Sequence, residues 1–450
     1  MRTLAKKIAN SRFAVLPERF IFRPAVLATY RHLLQSQWWP RERIQAYQLE
    51  KIRRLVAHAY EKSPFYRNRF DSIGLEPGDI RSFEDFRQIP PLTKQEIREH
   101  LGDLQASDLE TRRPILTHTG GTTGAPLKLY RCRATADVRE AVEWRTYQWA
   151  GFHFRDPKLN AFAGRALDDS GEPWYEDPKL RTTSVRINDT DQATFELFAR
   201  LYRARKPRLL IGILEFYRLL GRWLEEQGID DIKVAAMFSQ GESITETDRE
   251  NIQRWFGCRI YDYYGMRENA VSAGDCTGGS MHINSEFVYM EFETDGRPAK
   301  SGEQAEIIGT SLTNYAVPLI RYRTEDIGEW LDHACPCGRH LPVMKIVGGR
   351  ARDFVMTPNR AVYICHHVSN LIALAPGIEA IQFYQPDQQR LIVRVQAETP
   401  LREDNLRTIS EATAAIVHGE LRITVEQVET IRRTARGKYR FVISDIDQSL

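Results

Sequence analysis

A short loop in the first third of the chain is rich in glycine and threonine. Its backbone N–H groups and hydroxyls, which no bulky side chain shields, can wrap an anionic phosphate. A flexible surface loop is the alternative interpretation of the same composition. A Walker-type loop is not favoured, because Gly124 is followed by Ala125. The residues predicted to bind phosphate are Thr119, Gly120, Gly121, Thr122, Thr123 and Gly124.

A second group of residues has the chemistry of a metal site. Cys335 and Cys337 bring two thiols together in a tight turn, and Cys276 and His282 supply further ligands earlier in the chain. Sulfur and imidazole ligands in this number suit a closed tetrahedral Zn²⁺ site. Because Cys-x-Cys is a less common spacing than Cys-x-x-Cys, free thiols in a loop stay as the alternative.

The middle of the chain predicts a scaffold for these residues. Between Leu209 and Tyr264, short apolar runs alternate with helical patterns, which predicts a mainly parallel, buried βαβ sheet. Ligands settle at the carboxyl ends of such strands, so chemistry is expected in the loops after Phe238 and Tyr263. The predicted segments are strands over 209–213, 233–238 and 259–263, and helices over 214–226 and 245–256.

The flanking regions complete the predicted architecture. An amphipathic helix is expected over 41–58, and a proline-stiffened loop leads into a helix capped by Thr93 with Glu96. After residue 349, a hairpin (378–384 and 391–395), a helix (402–417) and a strand (421–428) indicate a small α+β unit. The fold class is therefore α/β. A large N-terminal domain (1–349) with mixed, mainly parallel sheets and flanking helices precedes a small α+β C-terminal domain (350–450).

Size, charge and cysteine content narrow the class of protein. A chain of 450 residues is expected to form two or more domains. Lys+Arg 63 against Asp+Glu 60 gives a net charge of only +3, which gives no reason to expect a nucleic-acid partner. Six cysteines without a secretory signal pattern favour a reducing compartment, so the cytoplasm is predicted. No run approaches the ~18 apolar residues of a membrane helix.

Several separate segments, in order, resemble the adenylate-forming superfamily and within it the phenylacetate–coenzyme A ligase and capsule-biosynthesis (CapK-like) branch. Each segment alone is weakly specific, whereas the ordered series is strong. The segments are Ser63-Pro64-Phe65-Tyr66, Ile89-Pro90-Pro91-Leu92-Thr93-Lys94, the loop from Thr119 to Pro126, Gly241-Glu242, Tyr264-Gly265-Met266-Arg267-Glu268, Tyr322-Arg323-Thr324-Glu325-Asp326 and Gly437-Lys438.

The resemblance implies a role for each matching residue. Glu268 would ligate a Mg²⁺ that bridges the phosphates, and Tyr264 would pack on adenine. Asp326 would accept hydrogen bonds from both ribose hydroxyls. Lys438 would stabilise the negative charge that develops as a carboxylate attacks the α-phosphate. The other residues assigned to nucleotide binding are Gly241, Glu242, Gly265 and Arg350.

The resemblance also implies motion, and the chain departs from the family pattern at several positions. The small C-terminal domain would rotate between two reaction steps, about a hinge within residues 349–353. Ala125 stands where many relatives carry Lys, which leaves the outer phosphates to Lys128 or to the backbone. The remaining departures are Arg267 and Glu325, where Thr and Gly are more usual, and Arg352, which leaves Asp353 as the hinge candidate.

The function implied is a ligase that uses ATP and Mg²⁺ to activate a small-molecule carboxylic acid and transfers the acyl group to coenzyme A. An amine, a sugar or a carrier in polysaccharide biosynthesis are alternative acceptors. The oligomeric state is open, a homodimer included.

A degenerate, non-catalytic nucleotide-binding module is a further alternative, against which the retention of Glu268, Asp326 and Lys438 argues. A zinc-ribbon nucleic-acid binder would need a basic stripe near Cys335, for which the basic residues nearby are too few.

Overall fold

The computed structural model describes residues 22–118, 128–154, 156–163, 171–240, 244–347, 354–364, 367–374, 378–397, 399–431 and 441–446. The chain divides into two compact units. The first comprises residues 1–119, 127–154 and 261–349, and the second comprises residues 120–126, 155–260 and 350–450. The domain boundary predicted at residue 349 stays a prediction. Among the described residues, no helix combines the length and hydropathy that crossing a membrane requires.

The α-helices of the described residues are α1 (Pro24–Ser36), α2 (Arg41–Lys62), α3 (Pro64–Ser72), α4 (Phe83–Arg87), α5 (Lys94–Glu99), α6 (Leu101–Leu104), α7 (Arg133–Trp149), α8 (Gln192–Arg205), α9 (Leu214–Glu226), α10 (Glu246–Phe256), α11 (Val368–Ala373) and α12 (Glu403–Ile416). The strands are β1 (Ile115–His118), β2 (Lys128–Arg131), β3 (Lys158–Phe162), β4 (Trp174–Asp177), β5 (Thr182–Arg186), β6 (Asp189–Thr190), β7 (Leu209–Gly212), β8 (Ala236–Gln240), β9 (Arg259–Gly265), β10 (Ser272–Asp275), β11 (Met281–Ile283), β12 (Val288–Thr294), β13 (Arg297–Pro298), β14 (Ala305–Ser311), β15 (Tyr322–Leu331), β16 (Val343–Ile346), β17 (Phe354–Met356), β18 (Ala361–Tyr363), β19 (Ile378–Asp387), β20 (Arg390–Ala397), β21 (Arg422–Val428) and β22 (Val442–Ser444).

The first unit is built on antiparallel strands. Their order is β13-β12-β14-β15-β16-β11-β10-β9. Leu55 and Val56 of α2 pack with Phe70, Leu92 and Tyr322 in a buried core, because apolar positions recur along α2 with the period of a helix. A separate hairpin of β1 and β2 leads into and out of the glycine–threonine loop.

The second unit contains the predicted βαβ sheet. Its strands lie in the order β8-β7-β3-β5-β4, parallel except for β4. Gly212 ends β7 at φ +146°, where a Cβ would lie 2.2 Å from the carbonyl oxygen of Ala161, so only glycine fits. The predicted helix over 214–226 is confirmed with the same bounds. The strand predicted over 233–238 instead spans Ala236–Gln240, because β7 begins at Leu209, opposite Ala236.

The C-terminal elements predicted after residue 349 are present in the second unit. β19 and β20 form the expected hairpin, and the four-stranded sheet has the order β21-β20-β19-β22. Leu391, Val393 and Val395 alternate along β20 and are buried in a separate core. A small sheet of β17, β18 and β6 lies in the same unit. The predicted α/β class with mixed sheets and a small C-terminal α+β region is confirmed.

Candidate active site and metal centre

Asp326 lies on a β-bulge of β15. Ile308 pairs with Arg323 and Glu306 pairs with Ile327, so residues 324–326 all lie opposite Ile307. The hydroxyl of Thr324 donates to the carbonyl oxygen of Ile307 at 2.7 Å and accepts the N–H of Asp326 at 3.1 Å. Because a bulge breaks the alternation of a strand, it can turn a side chain out of the sheet pattern. This bulge sets the direction of the Asp326 side chain.

The hydroxyl of Tyr264 meets that carboxylate. Tyr264 lies near the end of β9, and its Oη donates to Oδ2 of Asp326 at 2.9 Å. Burial raises the pKa of Tyr264 well above its ordinary value, and the charge of Asp326 raises it further. The hydroxyl therefore stays protonated and keeps its role as donor. A carboxylate offers two acceptor oxygens and can receive more donors than this one.

Glu268 lies close enough to Tyr264 for its charge to act on the Tyr264 hydroxyl. It follows β9 in a turn that is closed by a 3.1 Å hydrogen bond from the N–H of Asn269 to the carbonyl oxygen of Met266. Its side chain is buried, and the hydroxyl of Tyr322 donates to its Oε1 at 3.5 Å. Burial and then the charge of Glu268 raise the pKa of Tyr322 well above its usual range. The charge of Glu268 also raises the pKa of Tyr264.

The structure thus brings Tyr264, Glu268 and Asp326 together within the first unit. Two carboxylates near a phenol ring offer hard oxygen ligands for Mg²⁺ and acceptors for hydroxyl groups. Gly265, the last residue of β9, pairs with Ser272 of β10. The remaining predicted nucleotide-site residues lie outside the described residues. They are Thr119, Gly120, Gly121, Thr122, Thr123, Gly124, Gly241, Glu242, Arg350 and Lys438.

A backbone contact that the sequence did not predict joins two of the resembling segments. The N–H of Leu92 donates to Arg321 O at 2.8 Å, and the N–H of Arg323 donates to Leu92 O at 2.9 Å. Thr93 then caps α5 with Glu96, as predicted. The contact of Tyr322 with Glu268 was also missed. Both segments stood out in the sequence, but their distance along the chain carries no signal that they pair.

The four predicted metal ligands converge in the first unit. The ligand atoms of Cys276, His282, Cys335 and Cys337 all lie within 4.8 Å of one another. The Sγ atoms of Cys276 and Cys335 are 3.5 Å apart, and Cys337 Sγ is 3.2 Å from His282 Nε2. Zn–S bonds of ~2.3 Å in a tetrahedron place two sulfurs about 3.8 Å apart. The cluster therefore fits a single Zn²⁺.

The surroundings of the cluster suit metal binding. Nδ1 of His282 lies 3.0 Å from the carbonyl oxygen of Leu341, which holds the proton on Nδ1 and directs the Nε2 lone pair toward the thiols. Burial lowers the pKa of His282 to about 4, so the imidazole is neutral, as a ligand must be. Gly278 lets the chain turn tightly, since a Cβ there would lie 2.7 Å from Cys335 Sγ.

Two solved structures of one acyl-coenzyme A ligase have the same fold. A 2-hydroxyisobutyryl-CoA ligase, in complex with 2-HIB-AMP and CoA in the thioesterification state, aligns with a TM-score of 0.62 at 19% identity and covers 91% of each chain. The same ligase in the postadenylation state aligns with a TM-score of 0.59 and covers 91% of this chain and 93% of that one. At this identity the likeness establishes the fold.

Sequence relatives show which enzymes the chain resembles most specifically. Phenylacetate–coenzyme A ligase of Escherichia coli (strain K12) is 28% identical over 328 residues, covering 70% of this chain and 73% of the relative. The phenylacetate–coenzyme A ligase of Thermus thermophilus is 27% identical and covers 77% and 78%. Protein CapK of Staphylococcus aureus is 21% identical and covers 89% of each chain. The CapK C-terminal domain family matches residues 355–445.

The sequence relatives confirm the predicted class of the protein, an adenylate-forming ligase. More narrowly, they confirm the resemblance to the phenylacetate–coenzyme A ligase and CapK branch of the adenylate-forming superfamily. The roles predicted for individual residues stay predictions.

Proposed function

We propose that this chain converts a carboxylic acid and ATP into an acyl adenylate and pyrophosphate, and then transfers the acyl group to coenzyme A. In the first step a carboxylate oxygen bonds to the α-phosphorus and pyrophosphate leaves. In the second step the coenzyme A sulfur bonds to the acyl carbon, its proton goes to solvent, and AMP leaves. The observation that supports this most directly is the meeting of Glu268, Asp326 and Tyr264 at one place.

Each residue of this group has a part in the proposed reaction. Asp326 accepts hydrogen bonds from the ribose hydroxyls while Tyr264 holds its carboxylate and presents a ring to adenine. Glu268 provides a carboxylate oxygen to Mg²⁺, which when bound neutralises the phosphate charges. The glycine–threonine loop binds the phosphates. The nucleotide site is completed by Gly241, Glu242, Gly265 and Arg350. Lys438 stabilises the negative charge that develops in the transition state.

The choice of acceptor rests on the relatives named coenzyme A ligases. A pyrophosphate-release assay on a panel of aromatic, fatty and amino acids, with and without coenzyme A, tests the proposal. Acyl-CoA formed from at least one acid, together with AMP and pyrophosphate, is the expected result. Acyl transfer to an amine, sugar or carrier instead would overturn the acceptor. No turnover and no ATP binding would indicate a degenerate module.

We also propose that the cluster of Cys276, His282, Cys335 and Cys337 binds a structural Zn²⁺. The three sulfurs and one nitrogen fill a tetrahedron, which leaves no open position for a substrate. Burial raises the pKa of the Cys276 thiol to about 12, so a bound cation is needed to draw off its proton at neutral pH. The ion would link β11, the end of β10 and the turn at residues 335–338. The described cysteines form no disulfide bonds, which suits a reducing cytoplasm.

A further inference from the structure

Glu325, the residue before Asp326, has a backbone conformation that disfavours its own side chain. Its φ is +63°, in the left-handed region. For a residue with a Cβ this region is uncommon, because the Cβ approaches the following carbonyl oxygen, whereas glycine enters it freely. Glu325 is the middle residue of the bulge that also holds Thr324 and Asp326. The bulge therefore needs support from outside its own backbone.

Lys94 supplies a contact at that point. Its Nζ lies 2.8 Å from Oε2 of Glu325 and 3.5 Å from the carbonyl oxygen of Thr324. The Lys94 side chain is only 17% exposed, so it is held in the structure rather than free in solvent. One ammonium group thus contacts both the side chain and the backbone of the bulge.

The backbone around Lys94 is itself anchored to β15. Leu92 pairs with Tyr322 through two backbone hydrogen bonds, and the reciprocal capping box of Thr93 and Glu96 starts α5 at Lys94. Arg69 forms an ion pair with Glu96 at 2.5 Å, which ties the same cap to α3. Lys94 is therefore presented to the bulge from a segment whose register on β15 is set by the chain itself.

We infer that Lys94 is a positioning residue for nucleotide binding, which holds Glu325 in its left-handed conformation and so directs the Asp326 carboxylate toward Tyr264. The inference rests on the proposed function, because Asp326 is taken to bind the ribose. Lys94 acts through the bulge and does not itself touch the nucleotide. A partly exposed ion pair contributes little to global stability, so its effect is expected in binding rather than in melting temperature.

Four variants test this: K94M, E325A, E325G and the double variant K94M/E325G. K94M and E325A are expected to weaken Mg·ATP binding by up to about fivefold, the scale of one partly exposed ion pair. E325G is expected to weaken Mg·ATP binding less than E325A does, because glycine adopts a positive φ without strain. On the E325G background, K94M is expected to weaken Mg·ATP binding by at most a further factor of about two. K300M, which removes an exposed lysine elsewhere in the first unit, is the matched control.

Isothermal titration with Mg·ATP and a melting scan of each variant give the two readouts. Equal losses from K94M on the wild-type and E325G backgrounds would show that Lys94 binds the nucleotide directly and would overturn the inference. Mg·ATP binding by K94M as tight as that of wild type would also overturn the inference. A crystal structure of K94M decides the case independently of nucleotide. The bulge should lose the positive φ at residue 325 and the 2.9 Å contact between Tyr264 and Asp326. Retention of both would refute the inference, whereas wild type that binds no ATP would refute the proposed function alone.

Discussion

The Tyr264 hydroxyl donates to the Asp326 carboxylate at 2.9 Å across 62 residues of sequence, and so joins the end of β9 to the bulge of β15. The raised pKa of Tyr264 keeps the donor protonated. A carboxylate held in this way loses little freedom when it accepts further hydrogen bonds, so the pair is a preorganised acceptor for hydroxyl groups.

Y264F should weaken ATP binding while leaving the aromatic ring in place. Loss of one hydrogen bond to a charged group corresponds to roughly a tenfold rise in KM for ATP. D326N, which keeps the shape and removes the charge, should raise KM by a similar factor or more. Initial rates of pyrophosphate release measure both. Y202F, which removes a hydroxyl in the second unit, is the control, and equal KM values in Y202F, Y264F and wild type would contradict the prediction.

E268Q should change the requirement for magnesium. The amide keeps the size of the side chain but replaces a charged oxygen ligand by a neutral one, and Mg²⁺ prefers carboxylates. The Mg²⁺ concentration for half-maximal rate is expected to rise about tenfold or more, with a lower maximal rate. A titration of pyrophosphate release with MgCl₂ measures this. The same half-maximal concentration in E268Q and wild type would assign the metal to other residues. E303Q, at an exposed ion pair, is the matched substitution.

The purified protein should contain about one zinc per chain, as a single closed site requires. C335A and H282A should each reduce the zinc content and lower the melting temperature by several degrees, because the metal links separate segments. Elemental analysis and melting scans with and without a strong chelator measure both effects. C258A removes a buried thiol outside the cluster and should keep its zinc. Metal-free protein with unchanged melting after chelation would exclude the site.

Arg145 and Glu286 form a buried ion pair at 2.7 Å, with side-chain exposures of 0% and 2%. Ser36 and Asn284 hydrogen-bond to the carboxylate and to the guanidinium, respectively. Removal of one partner leaves a charge buried without its counterion, so R145M should destabilise the chain by about 3–5 kcal/mol.

The double variant R145M/E286L should recover much of that loss, because no uncompensated charge remains. Thermal and urea unfolding, monitored by circular dichroism, compare the three proteins. R205M, which breaks a partly exposed ion pair in the second unit, should cost no more than about 1 kcal/mol. A double variant no more stable than R145M would argue that packing, and not charge, sets the cost.

Elements governed by local chemistry were predictable. The reciprocal hydrogen bonds of Thr93 and Glu96 involve neighbours three residues apart, and the apolar period that predicted α9 is a property of one helix. The β19–β20 hairpin followed from its turn residues in the same way. The start of β8 was misplaced, because a strand begins where a partner lies opposite it, and that partner belongs to another segment.

By itself, the sequence determined the α/β class, the types of residue available for chemistry and, through ordered motifs, the resemblance to adenylate-forming ligases. Only the tertiary structure decided that Tyr264 meets Asp326, that a left-handed Glu325 is held by Lys94, and that three thiols and one imidazole converge. The reason is physical. Residue types and local hydrogen-bond patterns are written along the chain, whereas a bulge and its distant contacts depend on the register between strands, which the packing of the whole unit selects.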